Sequence, residues 1–130
     1  MLQSVYPTFI DGYNIHVKSY LEVLAEKDME PSHKADAEIV THDYSVYARC
    51  EYVIEQPRKR LSRAWYRVKE PKDSKDLTHC CGGLVESIFH KTANQIGEKR
   101  VEQLKNAKAQ SAALMCPICL ATFKKASGLK

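Results

Sequence analysis

Four of the five cysteines fall in two short clusters, His79-Cys80-Cys81-Gly82-Gly83 and Cys116-Pro117-Ile118-Cys119. The C-x-x-C spacing of Cys116 and Cys119 lets two thiolates chelate one ion. The first cluster offers the other two ligands. Adjacent cysteines strain a chelate, so His79 with Cys81 competes with Cys80 with Cys81. Gly82 and Gly83 let the backbone bend around an ion and point its N–H groups at sulfur. Four protein ligands leave no open position for water, which is the description of a structural Zn²⁺ site and not a catalytic one.

The two clusters are remote in the chain, so an intervening element must bring them together. A helix is expected from about Leu84 to Gln95, with Leu84, Val85, Ile88 and Phe89 on its inner side. A second is expected from Glu98 to about Met115, with Pro117 ending it. Cys81 to Gly97 is 16 residues and Gly97 to Cys116 is 19. A reversal at Gly97 gives two arms differing by ~4.5 Å of helix rise and sets the cysteines at the open end of a helical hairpin.

Over five residues, Cys116 to Leu120 resembles the first knuckle of a RING-type zinc domain. The later Cys/His pairs of that domain have no counterpart here, so ubiquitin-ligase function is not carried over. C-P-x-C is also similar to a glutaredoxin redox motif. That motif follows a strand, whereas the sequence before Cys116 reads as an Ala/Lys/Gln-rich helix, which argues against thiol redox use.

The remaining chain reads as helical. Asp11 is placed to cap a helix running to about Lys27, with Tyr13, Val17, Tyr20, Leu21 and Leu24 in one stripe. Ser32 is placed to cap another from about His33 to Gln56, with a strand as the alternative for residues 45–55. Cys50 falls on an apolar face in either reading and is given no chemistry. The expected fold is all-α: about five helices in a single domain, 1–130. Within it come an acidic half (1–56), a basic helix (57–72), a zinc-stapled hairpin (73–123) and a mobile basic tail (124–130).

The charge is unevenly spread. Net charge is −6 over residues 1–56 and +10 over 57–130, for a total of +4. Arg58, Lys59, Arg60, Arg63 and Arg67 crowd one short stretch, with Trp65 and Tyr66 among them. An arginine-rich helix can lie along a phosphate backbone while an aromatic ring stacks on a base. Nucleic acid, DNA or RNA, is therefore the expected partner. The bland alternative is that the acidic and basic halves pair with each other within the fold.

At 130 residues, 44% apolar and 28% charged, the composition suits a globular protein. No apolar run reaches a membrane span, no signal peptide is visible, and an odd cysteine count argues against a secreted disulfide framework. The expectation is an intracellular protein with reduced thiols, cytoplasmic or nuclear. No phosphate loop, nucleophile elbow or H-E-x-x-H pair is present, so no enzyme is expected. Together these readings describe a small zinc-stabilised regulatory protein associated with nucleic acid, with transcription as the expected setting. The alternative is a protein-binding adaptor or inhibitor of the kind viruses and mobile elements encode.

Overall fold

A computed structural model describes residues 5–27 and 30–128. The chain is mixed α/β, which corrects the all-α expectation. Its centre is a parallel sheet of three strands, β1 (Glu38–His42), β2 (Arg67–Lys69) and β3 (Ser111–Leu114), in the order β2-β1-β3. Around it pack α1 (Tyr20–Glu26), α2 (Glu55–Arg63), α3 (His90–Asn106) and α4 (Pro117–Ser127).

β1 is the strand that helical reading concealed. Ile39, Val40 and Thr41 are consecutive β-branched residues, stiff at χ1 and suited to a pleated surface. Every residue from Ile39 to His42 is buried, because β1 is central and covered on both faces. Such a strand shows no apolar/polar alternation, so its residues also fit a helical stripe. The expected long helix, 33–56, is therefore three elements: β1, a π-helical turn (Tyr47–Glu51) and the start of α2. The expected basic helix, 57–72, ends at Arg63 and continues as β2.

The hairpin is also corrected. α3 runs unbroken through Gly97, which is buried. A Cβ there would stand 3.0 Å from Thr122 Cγ2. This glycine brings α4 close to α3 and does not turn the chain. Reversal comes after Asn106, with Lys108 in the left-handed region at φ +52, and the next segment is β3. The stretch expected as the first arm is a short 3₁₀ turn (Gly83–Val85) with α3 starting only at His90. Leu84, Ile88 and Phe89, expected inside, are exposed.

At the N-terminal side, Ser19 and not Asp11 caps the helix. Its hydroxyl accepts from the Glu22 N–H at 3.2 Å and the Glu22 carboxylate accepts from the Ser19 N–H at 2.7 Å, a reciprocal capping box. At the other end, residues 124–127, expected in a mobile tail, form the last turn of α4, and Gly128 stops it at φ +69. Residues 129 and 130 lie outside the described part.

Strand order decides where a site can form. From β1 the chain moves to one side to make β2, then crosses back to place β3 on the other side. β1 and β3 thus flank the point where the topology switches, and a crevice opens beyond their carboxyl ends. Those ends are His42 to Ser45 and Leu114 to Cys116. The cluster of Val40, Cys81, Val101, Leu104, Cys119 and Phe123 fills the space behind them.

Candidate metal centre

Each cysteine is set by a distinct local device. Cys116 leaves β3 and stands at the N-cap of α4, and Pro117 starts that helix. Proline fits there because its missing N–H would have no helical partner. Cys119 then lies in the first turn of α4 and is 2% exposed. Cys80 and Cys81 come from the loop beneath. The Gly82 N–H donates to Cys80 Sγ at 3.4 Å, and the Gly83 N–H donates to Cys81. Gly82 has φ +87, and a Cβ on Gly83 would meet Ile118 Cγ2 at 2.3 Å. Both glycines are needed for the loop to turn and to press against α4.

The loop is tied down along its length. The carboxylate of Asp43, at the end of β1, accepts from the Lys75 N–H at 2.9 Å, and the Asp43 carbonyl accepts from Thr78 Oγ1 at 3.3 Å. Arg49 donates to the carbonyls of Asp76 and Thr78. Arg58, buried on α2, grips both oxygens of Asp43 at 2.8 and 2.9 Å and both oxygens of Glu70 at 2.6 and 2.8 Å. These bonds join β1, α2 and the segment after β2 into one frame that presents Cys80 and Cys81 to Cys116 and Cys119.

The four cysteines line one small hollow with Tyr44, Ser45, Leu84 and Ile118. An imidazole nitrogen of His42 and the sulfurs of Cys81 and Cys119 all lie within 4.8 Å of one another. These three side chains are buried. The Cys81 thiol is pulled down to about 4, first by its hydrogen bond with Cys119 and then by His42 and the Gly83 N–H, against the effect of burial. Cys119 is pushed upward by the same bond with Cys81, by burial and by Cys116. One bond between the two sulfurs thus favours the thiolate at Cys81 and the thiol at Cys119. Burial pushes His42 below its ordinary range; Cys81 opposes that and the charge of Arg100 adds to it. Its Nε2 is buried with no hydrogen-bond partner. Four soft sulfurs, with a buried imidazole beside them whose Nε2 is orphaned, fit a thiophilic metal.

Of the residues expected to bind metal, the fold brings together Cys80, Cys81, Cys116 and Cys119. It leaves His79 aside, half-exposed, with Nε2 3.5 Å from Asp73. Its replacement beside the sulfurs is His42, which no local spacing could reveal. Cys50, expected on an apolar face, is exposed on the π-helical turn. Cys116 follows a strand, so the objection to redox use drawn from a preceding helix does not hold.

The expected phosphate-binding residues are dispersed among internal partners. Arg58 is buried in its carboxylate pairs. Arg63 donates to the Lys27 carbonyl at 3.1 Å, and Arg67 pairs with Asp36 at 2.6 Å. Trp65 is exposed but carries the Lys34 ammonium 4.2 Å from its ring centre. Lys59 is exposed, and Arg60 has an interaction of its own. Lys69–Glu38 and Lys75–Glu55 pairs add to the same pattern. Much of the division between acidic and basic halves is thus spent inside the fold.

A family model for a cysteine-rich domain, CCG, matches residues 44–124. That span is well over half of the chain and contains all five cysteines. No curated protein and no solved structure matches. Among the described residues, no helix is long and apolar enough to cross a membrane.

Proposed function

This chain belongs to the CCG cysteine-rich domain family, and from that membership and the site geometry we propose a metal-binding protein whose centre is an iron–sulfur cluster held by Cys80, Cys81, Cys116 and Cys119. One observation carries the reading: four sulfurs from two distant segments share one hollow, two of them buried within 4.8 Å of each other. Thiolate sets of this kind select iron–sulfur clusters, zinc or Cu(I). The contiguity of Cys80 and Cys81 favours a cluster. Two neighbouring side chains strain when they reach for one tetrahedral ion, whereas separate irons give each its own attachment. When bound, such a cluster supplies one-electron chemistry, and burial and hydrogen bonds to sulfur set its potential.

A structural zinc is the second reading. It is favoured by the Gly82 and Gly83 N–H groups aimed at sulfur and by the C-x-x-C pair. Anaerobic purification followed by assay of iron, acid-labile sulfide and zinc separates the two. Iron with sulfide, lost in Cys81→Ser and Cys119→Ser, is expected. Zinc lost in the same variants selects the second reading, and a metal-free wild type removes both.

A regulatory contact with nucleic acid is a further proposal, supported by exposed Lys59 and Trp65 at α2 and its C-terminal end. It requires binding that weakens steeply with salt, read by gel shift at two salt concentrations. A protein-binding adaptor role draws its support from exposed Leu84, Val85, Ile88 and Phe89 beside the cysteines. Both are non-catalytic roles.

A further inference from the structure

His42 lies close enough to Cys81 and Cys119 to be counted a metal ligand. Its other surroundings argue for a different role. Arg100, on α3, is fully buried at 0% exposure. Its Nε–H donates to His42 Nδ1 at 3.2 Å. Arginine in a protein is always a donor, so Nδ1 must present its lone pair. The proton of the neutral ring is then on Nε2, the atom left buried without a partner. A protonated Nε2 has no lone pair for a metal, but it has a hydrogen to give to a sulfur. The ring is held in place by edge-to-face packing on Phe123, with centroids 4.7 Å apart.

The remaining bonds of Arg100 make the arrangement rigid. Nη1 donates to the carbonyls of Lys72 and Asp73 at 2.8 and 3.2 Å and to Gln103 Oε1 at 2.8 Å, while Nη2 donates to Thr78 Oγ1 at 3.2 Å. Every one of these acceptors is neutral. The carboxylates of Asp43 and Asp73 act on Arg100 through space but accept their hydrogen bonds from Arg58, Lys75 and Gln103. Every group bonded to this buried cation is neutral, and a thiolate centre beside His42 would add a further anion to the two carboxylates near it.

Resting on the metal-centre reading above, we propose that His42 is a positioning residue outside the ligand set: fixed as its Nε2–H tautomer by Arg100, it donates a hydrogen bond to the Cys81 sulfur of a centre ligated by cysteines alone. Such a bond withdraws electron density from sulfur and favours the more reduced centre.

The test uses the full chain loaded anaerobically with iron and sulfide. Iron X-ray absorption is expected to give sulfur ligation with no imidazole nitrogen bound to iron. His42→Leu is expected to keep its iron while its reduction potential moves to more negative values, and His42→Gln, which retains an N–H, to move less. Nitrogen bound to iron in the wild type, or a potential unmoved in His42→Leu, overturns the role of His42 and leaves the metal centre standing. A wild-type chain that takes up no iron overturns the underlying reading as well. Should His42→Leu fail to fold, the wild-type absorption spectrum still decides between ligand and donor.

Discussion

Arg58 and Arg100 are both buried arginines within one small fold, and they differ in what accepts their hydrogen bonds. Arg58 is clasped by two carboxylates, Asp43 and Glu70. Its charge is matched where it stands, and its effect is to lock β1, α2 and the segment after β2 together. Arg100 bonds to carbonyls, an amide oxygen, a hydroxyl and an imidazole. No carboxylate is bonded to it, those of Asp43 and Asp73 acting only through space, and it reaches toward the cysteines through His42. The comparison teaches that burial alone does not tell a structural arginine from one that serves a site; the charge of its acceptors does.

Removing each cation in turn separates the two arginines. Arg58→Met leaves Asp43 buried and unmatched, and is expected to cost about 3–5 kcal/mol in urea unfolding. The same variant tests the acid side. Arg58 holds Asp43 below its ordinary range in spite of burial, and holds Glu70 below it as well. A carboxylate depressed in the folded state contributes stability that is complete above its unfolded pKa, about 4, and is lost as pH falls through the folded value. The wild type should therefore lose stability on acidification below about pH 4, and Arg58→Met should show a flatter acid limb.

Gly83→Ala is expected to come next. Its new methyl would collide with Ile118 and Thr122, so a cost of about 1–3 kcal/mol from overpacking is expected. The accompanying shift of the Cys80–Cys81 loop from α4 should appear as lost metal. A variant as stable and as metal-rich as wild type would show that the close approach is not needed.

Arg100→Met, in the metal-free chain, should cost about 1–3 kcal/mol for the acceptors it abandons. That is less than Arg58→Met, because removing a buried charge with no carboxylate bonded to it offsets part of the loss. In the metal-loaded chain the gap between the two variants should narrow, since Arg100 then faces an anionic centre. Equal costs with and without metal would remove the distinction between the two arginines. The smallest effect belongs to Ser19→Ala, remote from both. Loss of its capping box should cost about 1 kcal/mol in thermal or urea unfolding and leave metal content unchanged.

Short-range signals in this chain are legible only in part: Asp11 and Ser32 look like helix caps and Gly97 like a turn, yet Ser19 is the cap and Gly97 lies inside α3. C-x-x-C spacing and paired glycines act over a few residues, so they are visible in order along the chain. His42 and Arg100 meet across 58 positions of sequence, and Arg58 meets Glu70 only because the chain reverses between α2 and β2, which runs parallel to β1. The run Ile39-Val40-Thr41 held the one local signal for β1, in its consecutive β-branched side chains, but a strand buried on both faces does not alternate.

Two cysteine clusters with metal-ligand spacing are visible in the sequence alone, because chelate spacing and turn-forming glycines are properties of short segments. Only the tertiary structure decided how they meet and what surrounds them. A parallel sheet with a switch in strand order, and not a helical hairpin, supplies the crevice. The partners of a buried charge are chosen by packing between distant segments, which no reading along the chain can rank.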